Sequence, residues 1–420
     1  MLNSIKKFLY NLNPDIIVQA PSRINLINPL DAVEGDYWMP SIAITGINNP
    51  LSVFLYIKKI EKESKLKIYQ FEYVGKSYTI NLISEETLLK NLEQIKEKIS
   101  NKNKLVYASI YRFCKFNSCF EKNYIKSNFE IGLISTIPQQ SGLGGSAAII
   151  IATLYGFAKF FNLYNNFNLL KPNEFPINKD VIAEMATKIE DDDLKVTAGY
   201  GDRYVISRGG LCFCSYYGKL FHRELSQEPL ATYDRIDHTY GIKDIPIIIC
   251  FSGISHHSGN VHGRLRRLYL AKEQKILYNY KKLADIAWKS RFAIMKHDWK
   301  LLGKYFKENT NVMNSVMQDA GFKYGIGLAN NILIEIVEKH PDVYAAKLTG
   351  AGGGGSVFAL VNPEEIDAVL SFWKEKLVDL IHNKKKFISK FPSYPIEITD
   401  QLKNAQFYKI KINTDGVKKL

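Results

Sequence analysis

The run Gln140-Ser141-Gly142-Leu143-Gly144-Gly145-Ser146-Ala147 follows an apolar strand pattern and precedes a helical one. Glycine admits left-handed backbone angles and lets main chain approach a ligand closely, and the free amides of a helix N-terminus favour phosphate. Such a turn binds an anion without a charged side chain, and it lacks the Gly-Lys-Ser/Thr ending of a Walker A loop. Downstream stand an acidic run, Glu190-Asp191-Asp192-Asp193, and a glycine-framed pair, Asp202-Arg203. A carboxylate is a hard oxygen ligand suited to Mg²⁺, and an ionised aspartate beside a basic residue can accept a hydrogen bond from a hydroxyl. Asp191 to Asp193 read as a solvated acidic turn. Ser258, His262, Arg264 and Arg266 follow a strand end. There they would grip an acidic sugar or sugar phosphate, arginine forking onto carboxylate or phosphate. The alternative makes Arg264, Arg266 and Arg267 the exposed face of a helix. His256, His257 and His262 lack the i, i+4 spacing of a helical zinc pair.

The elements that must carry these groups follow from periodicity. Strands are expected at Ile16 to Val18, Leu51 to Ile57, Leu66 to Ile68, Phe129 to Ile134, Leu211 to Tyr216 and Ile247 to Phe251. Further strands fall at Ala345 to Leu348, Ser356 to Val361 and Gln406 to Ile412. Helices are expected from Ser146 to Phe161, Asp180 to Ile189, Val261 to Lys296 and Trp299 to Met317, with another starting at Asn362-Pro363-Glu364. Strands and helices mix without a regular βαβ rhythm, which predicts an α+β fold. Two domains are expected, 1–225 and 226–420.

The glycine turn resembles the Pro-x-x-x-Gly-Leu-Gly-Ser-Ser-Ala signature of the GHMP kinases, with Gly145 in place of the first serine. Ala20-Pro21-Ser22-Arg23-Ile24-Asn25-Leu26 resembles that family's first motif, with Ser22 in place of its glycine. Lys347-Leu348-Thr349-Gly350-Ala351-Gly352-Gly353-Gly354-Gly355 resembles its third. The resemblance spans residues 20 to 360 and implies a ribosomal-protein-S5-like N-terminal domain and a ferredoxin-like C-terminal one. It further implies an enzyme that uses ATP and Mg²⁺, with Gly142, Leu143, Gly144, Gly145, Ser146, Ala147, Gly352 and Gly353 around the nucleotide phosphates. Arg23 would lie near the reacting phosphate and Asp202 would orient or deprotonate the acceptor hydroxyl. Ser146 and Glu190 would hold the metal, with Glu184 the rival for that role.

Gly199 to Tyr204 with Gly209-Gly210 look most like the sugar-kinase branch that contains glucuronokinase and the heptose-phosphate kinases. Asn28-Pro29-Leu30-Asp31 resembles a glucuronokinase segment, as does Ser255 to His262 with its following arginines. The expected acceptor site is therefore Asp31, Gly201, Arg203, Ser258, His262, Arg266 and Gly350, and the expected reaction is phosphorylation of a sugar or sugar acid at its anomeric hydroxyl. Heptose 7-phosphate and mevalonate are the alternative acceptors. A catalytically silent sugar or nucleotide sensor is the alternative class.

Bulk properties set the frame. The net charge of +14 comes mostly from lysine spread over many segments. That suits attraction of nucleotides and acidic metabolites, and the basic patches lack the interleaved aromatics of common RNA binders. Five cysteines form neither a disulfide framework nor a zinc site. No apolar run reaches membrane-spanning length and no secretory signal pattern opens the chain, so a cytoplasmic monomer or homodimer is expected, with no nucleic-acid or membrane partner.

Overall fold

The long strand β1 (Ile16–Ile27) organises the first half of the chain, and all of its residues are buried. Pro21 has no amide hydrogen, and at that point the strand exchanges neighbours. Ile16 to Pro21 pair with β3 (Ser52–Lys59), whereas Ser22 to Ile27 pair with β2 (Met39–Gly46). The expected strand at Ile16 to Val18 is thus longer than apolar pattern alone indicates. Its second half carries the buried polar residues Ser22, Arg23 and Asn25.

In a computed structural model that describes residues 2–31, 39–46, 51–61, 65–74, 77–87, 91–100, 102–169, 175–216, 231–255 and 258–420, β1 to β3 belong to a nine-stranded sheet. The others are β4 (Lys65–Val74), β5 (Ser77–Thr87), β6 (Phe129–Ser135), β7 (Leu211–Tyr216) and β8 (Thr232–Arg235), in the order β5-β4-β6-β3-β1-β2-β7-β8. Pairing is antiparallel except between β4 and β6. A second sheet of four strands has the order β10-β11-β9-β12: β9 (Ile247–Phe251), β10 (Val343–Thr349), β11 (Ser356–Val361) and β12 (Gln406–Lys409). The chain then returns to the first sheet, where β13 (Lys418–Lys419) pairs with Val18 and Gln19. The fold is α+β, as the irregular alternation of elements indicates. The expected boundary at residue 225 lies outside the described residues.

One helical expectation needs correction. Val261 to Lys296 is not one helix but two, Ser258–Leu270 and Gln274–Met295. Between them Lys272 adopts φ +57°, and the Lys272 and Glu273 amides bond back to Tyr269 and Leu268. No glycine or proline marks this turn, so the helical period runs through it unbroken. Likewise the last strand stops at Lys409 rather than Ile412.

The Gly145–Phe160 helix is apolar nearly all round and is buried against β1 and β3. Phe157 meets Phe120 and Phe129 edge to face, at 5.3 and 5.4 Å between ring centroids; each such pair adds about 1 kcal/mol beyond area burial. A second cluster centred on Trp373 packs the Leu328–Val337 and Ile366–His382 helices onto the smaller sheet. No helix among the described residues is long and apolar enough to cross a membrane.

Lys347 lies fully buried in β10, where Nζ donates to the Leu348 carbonyl at 2.9 Å and faces the Phe358 ring. Burial pushes its ammonium down to about 7 from the usual 10.5. Between those values the unfolded chain binds a proton that the folded chain does not. Wild-type stability relative to an uncharged side chain therefore falls as pH drops from 10.5 to about 7, and levels off below. Lys347→Met is expected to raise the thermal midpoint, with a larger gain at neutral pH than near pH 10. An equal gain at both would show that Lys347 is not neutral in the alkaline protein.

Candidate active site

The glycine turn forms as the sequence suggests. Gly144 stands at the N-terminus of its helix with φ +82°, and a Cβ there would lie 2.9 Å from Arg23 Cγ, so only glycine fits. The first bond back into the helix runs from the Ala148 amide to the Gly144 carbonyl, 2.9 Å. The amides of Gly145, Ser146 and Ala147 thus have no partner within the helix. All three residues line a cavity of about 740 Å³, together with Gly142 and Gly144.

Arg23 enters the cavity from β1 and joins the turn to the acidic side of the site. Its Nη1 donates to the Gly142 carbonyl and its Nη2 to Asp202 Oδ2. Asp202 sits in the first turn of the Gly201–Arg208 helix. Burial by itself would raise its carboxyl, but Arg23 and Arg203, with the nearby Asn25 side chain, outweigh burial and hold it at about 2. Its Oδ1 is buried and accepts no hydrogen bond from any described residue. An ionised carboxylate with one open acceptor position therefore faces the amides of the turn across Arg23.

Arg203 is fixed in turn. It donates to Glu190 through Nη2 and to the Gly199 carbonyl through Nη1 at 3.0 Å. Asp31 accepts from the Gly201 amide at 3.0 Å and so caps the same helix. A Cβ on Gly199 would stand 2.1 Å from Asp31 Oδ1, which explains a glycine there.

The acidic run departs from expectation. Glu190 to Asp193 form one turn of π-helix (Ile189–Asp193) and are not a solvated loop. Three of the four carboxylates meet arginines from three different elements: Glu190 meets Arg203, Asp191 takes Arg266 at 2.8 and 3.1 Å, and Asp193 takes Arg112 at 2.7 and 2.8 Å. Asp192 shares Arg112 at 3.3 Å. Arg112 sits in the Lys104–Phe116 helix and no motif announces it.

Other expected residues distribute unevenly. Asp31, His262, Gly350, Glu190 and Arg203 line the cavity. Gly350 packs on Gly142, while Leu143 offers its carbonyl to the Arg23 amide at 3.1 Å. Gly352 and Gly353 lie behind the turn, where the Gly353 amide bonds the Ile326 carbonyl at 2.8 Å. The Gly201 amide is spent on Asp31, Ser258 opens its helix, and Arg266 lines a neighbouring hollow. His256 and His257 lie outside the described residues. Glu184 is turned away from the cavity, accepting from the Tyr204 hydroxyl at 2.7 Å and the Ala231 amide at 3.1 Å. Glu190 and Ser146 both line the cavity, with Glu190 already paired to Arg203. Mg²⁺ keeps several waters and takes one or two protein ligands plus phosphate oxygens, so a site here would share Glu190 with that arginine. Sequence reasoning missed the far end, where Gln70 donates to Asn103 at 2.7 Å beside Lys102.

Comparisons with known proteins bear on the family and the fold. The model of the GHMP kinases N terminal domain matches residues 104–210, and that of the GHMP kinases C terminal domain matches residues 292–379. The chain belongs to the GHMP kinase family. Glucuronokinase 1 of Arabidopsis thaliana is 28% identical over 270 residues, covering 62% of this chain and 65% of the relative. The D-glycero-alpha-D-manno-heptose 7-phosphate kinase of Campylobacter jejuni is 23% identical over 306 residues, covering 70% and 76%. The chain thus matches just under two thirds of the glucuronokinase's length. Lactococcus lactis galactokinase, solved with galactose, superposes over 100% of both chains with a TM-score of 0.65 at 16% identity, a likeness of fold.

Removing Arg112 would leave Asp193 buried without its guanidinium. Arg112→Met is expected to destabilise the protein by about 3 kcal/mol, measured by denaturant unfolding. A loss below about 1 kcal/mol would mean that the acidic turn is held from elsewhere.

Proposed function

We propose that this protein is an ATP- and Mg²⁺-dependent sugar kinase that transfers the γ-phosphate to the anomeric hydroxyl of an anionic sugar. The observation that carries the reading is Arg23, which touches both the glycine turn and the Asp202 carboxylate inside one cavity. Phosphoryl transfer asks a protein chiefly for alignment and positive charge around the moving group. In this reading the amides of Gly145, Ser146 and Ala147 hold the triphosphate, and its base extends towards Gln70 and Asn103, whose amides can hydrogen bond it. Arg23 presents charge where the phosphoryl group departs from the turn. Asp202 Oδ1 receives the hydrogen bond of the acceptor hydroxyl and aligns its oxygen. With its carboxyl held at about 2, Asp202 stays ionised at every working pH and serves better as an orienting acceptor than as a strong base. Glu190 and Ser146 would hold Mg²⁺, which when bound neutralises charge on the phosphates.

Glucuronate is the first acceptor to test, by likeness to the glucuronokinase. The second reading, a heptose 7-phosphate, draws on the likeness to the Campylobacter kinase. ADP release measured with glucuronate, galacturonate, galactose, a heptose 7-phosphate and mevalonate is expected for an anionic sugar and not for mevalonate. No release with any of them would sink the reading.

Asp202→Asn is expected to lower kcat by roughly a hundredfold or more with little change in the KM for ATP. Unchanged kcat would remove Asp202 from the reaction. Because the wild-type carboxyl titrates near 2, the acid limb of the rate profile should not follow Asp202 at all. Ser146→Ala is expected to raise the KM for Mg-ATP by about tenfold while the thermal midpoint holds. A normal KM and rate would exclude the hydroxyl as a ligand.

A further inference from the structure

The cations inside the main cavity are largely spoken for. Arg23 is bound to Gly142 and Asp202, and Arg203 to Gly199 and Glu190. Arg266, which the sequence offered as a grip for an anionic substrate, bonds both oxygens of Asp191 through Nη1. An acceptor that presents a hydroxyl to Asp202 and also carries a negative group finds no unpaired arginine among those that line this cavity.

A second hollow of about 570 Å³ adjoins the cavity, and Thr197 lines both. The Ser258–Leu270 helix lies directly on this wall. A Cβ on Gly259 would stand 3.3 Å from Val196 Cγ1, and one on Gly263 would stand 3.5 Å from Thr197 Oγ1. The hollow is lined by Gly259 and Asn260 from the first turn of that helix, and by Arg264 and Arg267. Both arginines are exposed and neither makes an ion pair among the described residues. Arg264 is nonetheless held in place. It lies over the Phe322 ring at 5.4 Å and so close to Gly321 that a Cβ there would stand 2.5 Å from Nη2. Two uncommitted guanidinium groups beside the opening turn of a helix form a receptor for a dianion.

We infer that the hollow bounded by Thr197, Arg264 and Arg267 binds a phosphate ester at the far end of the acceptor, so that the substrate is a sugar phosphate. The inference rests on the sugar-kinase reading above. Charge favours phosphate over carboxylate: the second charge of a phosphate ester uses both arginines.

Calorimetric binding of a hexose 6-phosphate, the corresponding uronate and the corresponding neutral sugar to the full chain tests this, alongside ADP release from each. The sugar phosphate is expected to bind at least about tenfold more tightly than the neutral sugar, to compete with it, and to lose that advantage in Arg264→Ala/Arg267→Ala. Arg264→Lys/Arg267→Lys, which keeps the charge but not the fork, should retain part of the advantage and guards against misfolding. Equal affinities in the wild type, an advantage that survives the alanine pair, or binding that does not displace the neutral sugar would each overturn the inference. Inorganic phosphate is included to separate a free anion from the ester. It should compete with the sugar phosphate and not with the neutral sugar, and competition with both would also overturn the assignment. A phosphate preference with no ADP release from any acceptor would sink the kinase reading and keep the pocket. ADP release with no phosphate preference would do the reverse.

Discussion

The contact on which the site depends is the buried guanidinium of Arg23, held between the Gly142 carbonyl and the Asp202 carboxylate. A buried ion pair is a weak source of stability, because desolvation of both charges offsets much of their attraction. What it supplies is position. Arg23 comes from β1, Gly142 from the turn before the Gly145–Phe160 helix, and Asp202 from the Gly201–Arg208 helix. One side chain thus sets the distance between an anion cradle and an ionised acceptor, using elements far apart in the chain.

The requirement propagates outward. For Arg23 to be buried in a strand, β1 must exchange partners at Pro21 and keep both neighbours, which makes it the central strand of the larger sheet. The Gly201–Arg208 helix must present Asp202, and Asp31 fixes its first turn through the Gly201 amide. The third glycine-rich segment seals the arrangement from the second sheet: Gly350 lies on Gly142, Ser356 donates to the Ser141 carbonyl at 2.8 Å, and Thr349 accepts from the Asn25 amide at 2.9 Å. The two halves of the chain therefore meet at the glycine turn.

A second tier of charge holds the floor. The π-helical turn Ile189–Asp193 carries consecutive carboxylates, which repel one another and resist burial. Arginines from three helices neutralise them, and two of those, Arg112 and Arg266, come from opposite halves of the chain. This network engages Arg266, while Arg264 and Arg267 on the same helix are exposed and make no ion pair among the described residues. Among neighbouring arginines of one type, exposure and partners separate the structural from the available.

Sequence by itself determined the α+β class, the glycine turn with its following helix, and the three glycine-bearing motifs. Each of these is a local property: a helix N-terminus, a glycine with a required angle, a period of two or of 3.6. The family resemblance also singled out Arg23 in the first motif, and Glu190 and Asp202 between the second and third. Only the tertiary structure decided which charges face one another. Spacing along a chain carries no information about a guanidinium arriving from another helix, so Asp191 to Asp193 looked solvated and Arg112 went unnoticed. The same limit applied to Glu184 and Glu190, acids of one type a turn and a half apart. Their surroundings separate only in three dimensions: Tyr204 donates to Glu184, whereas Glu190 pairs with Arg203 and lines the cavity.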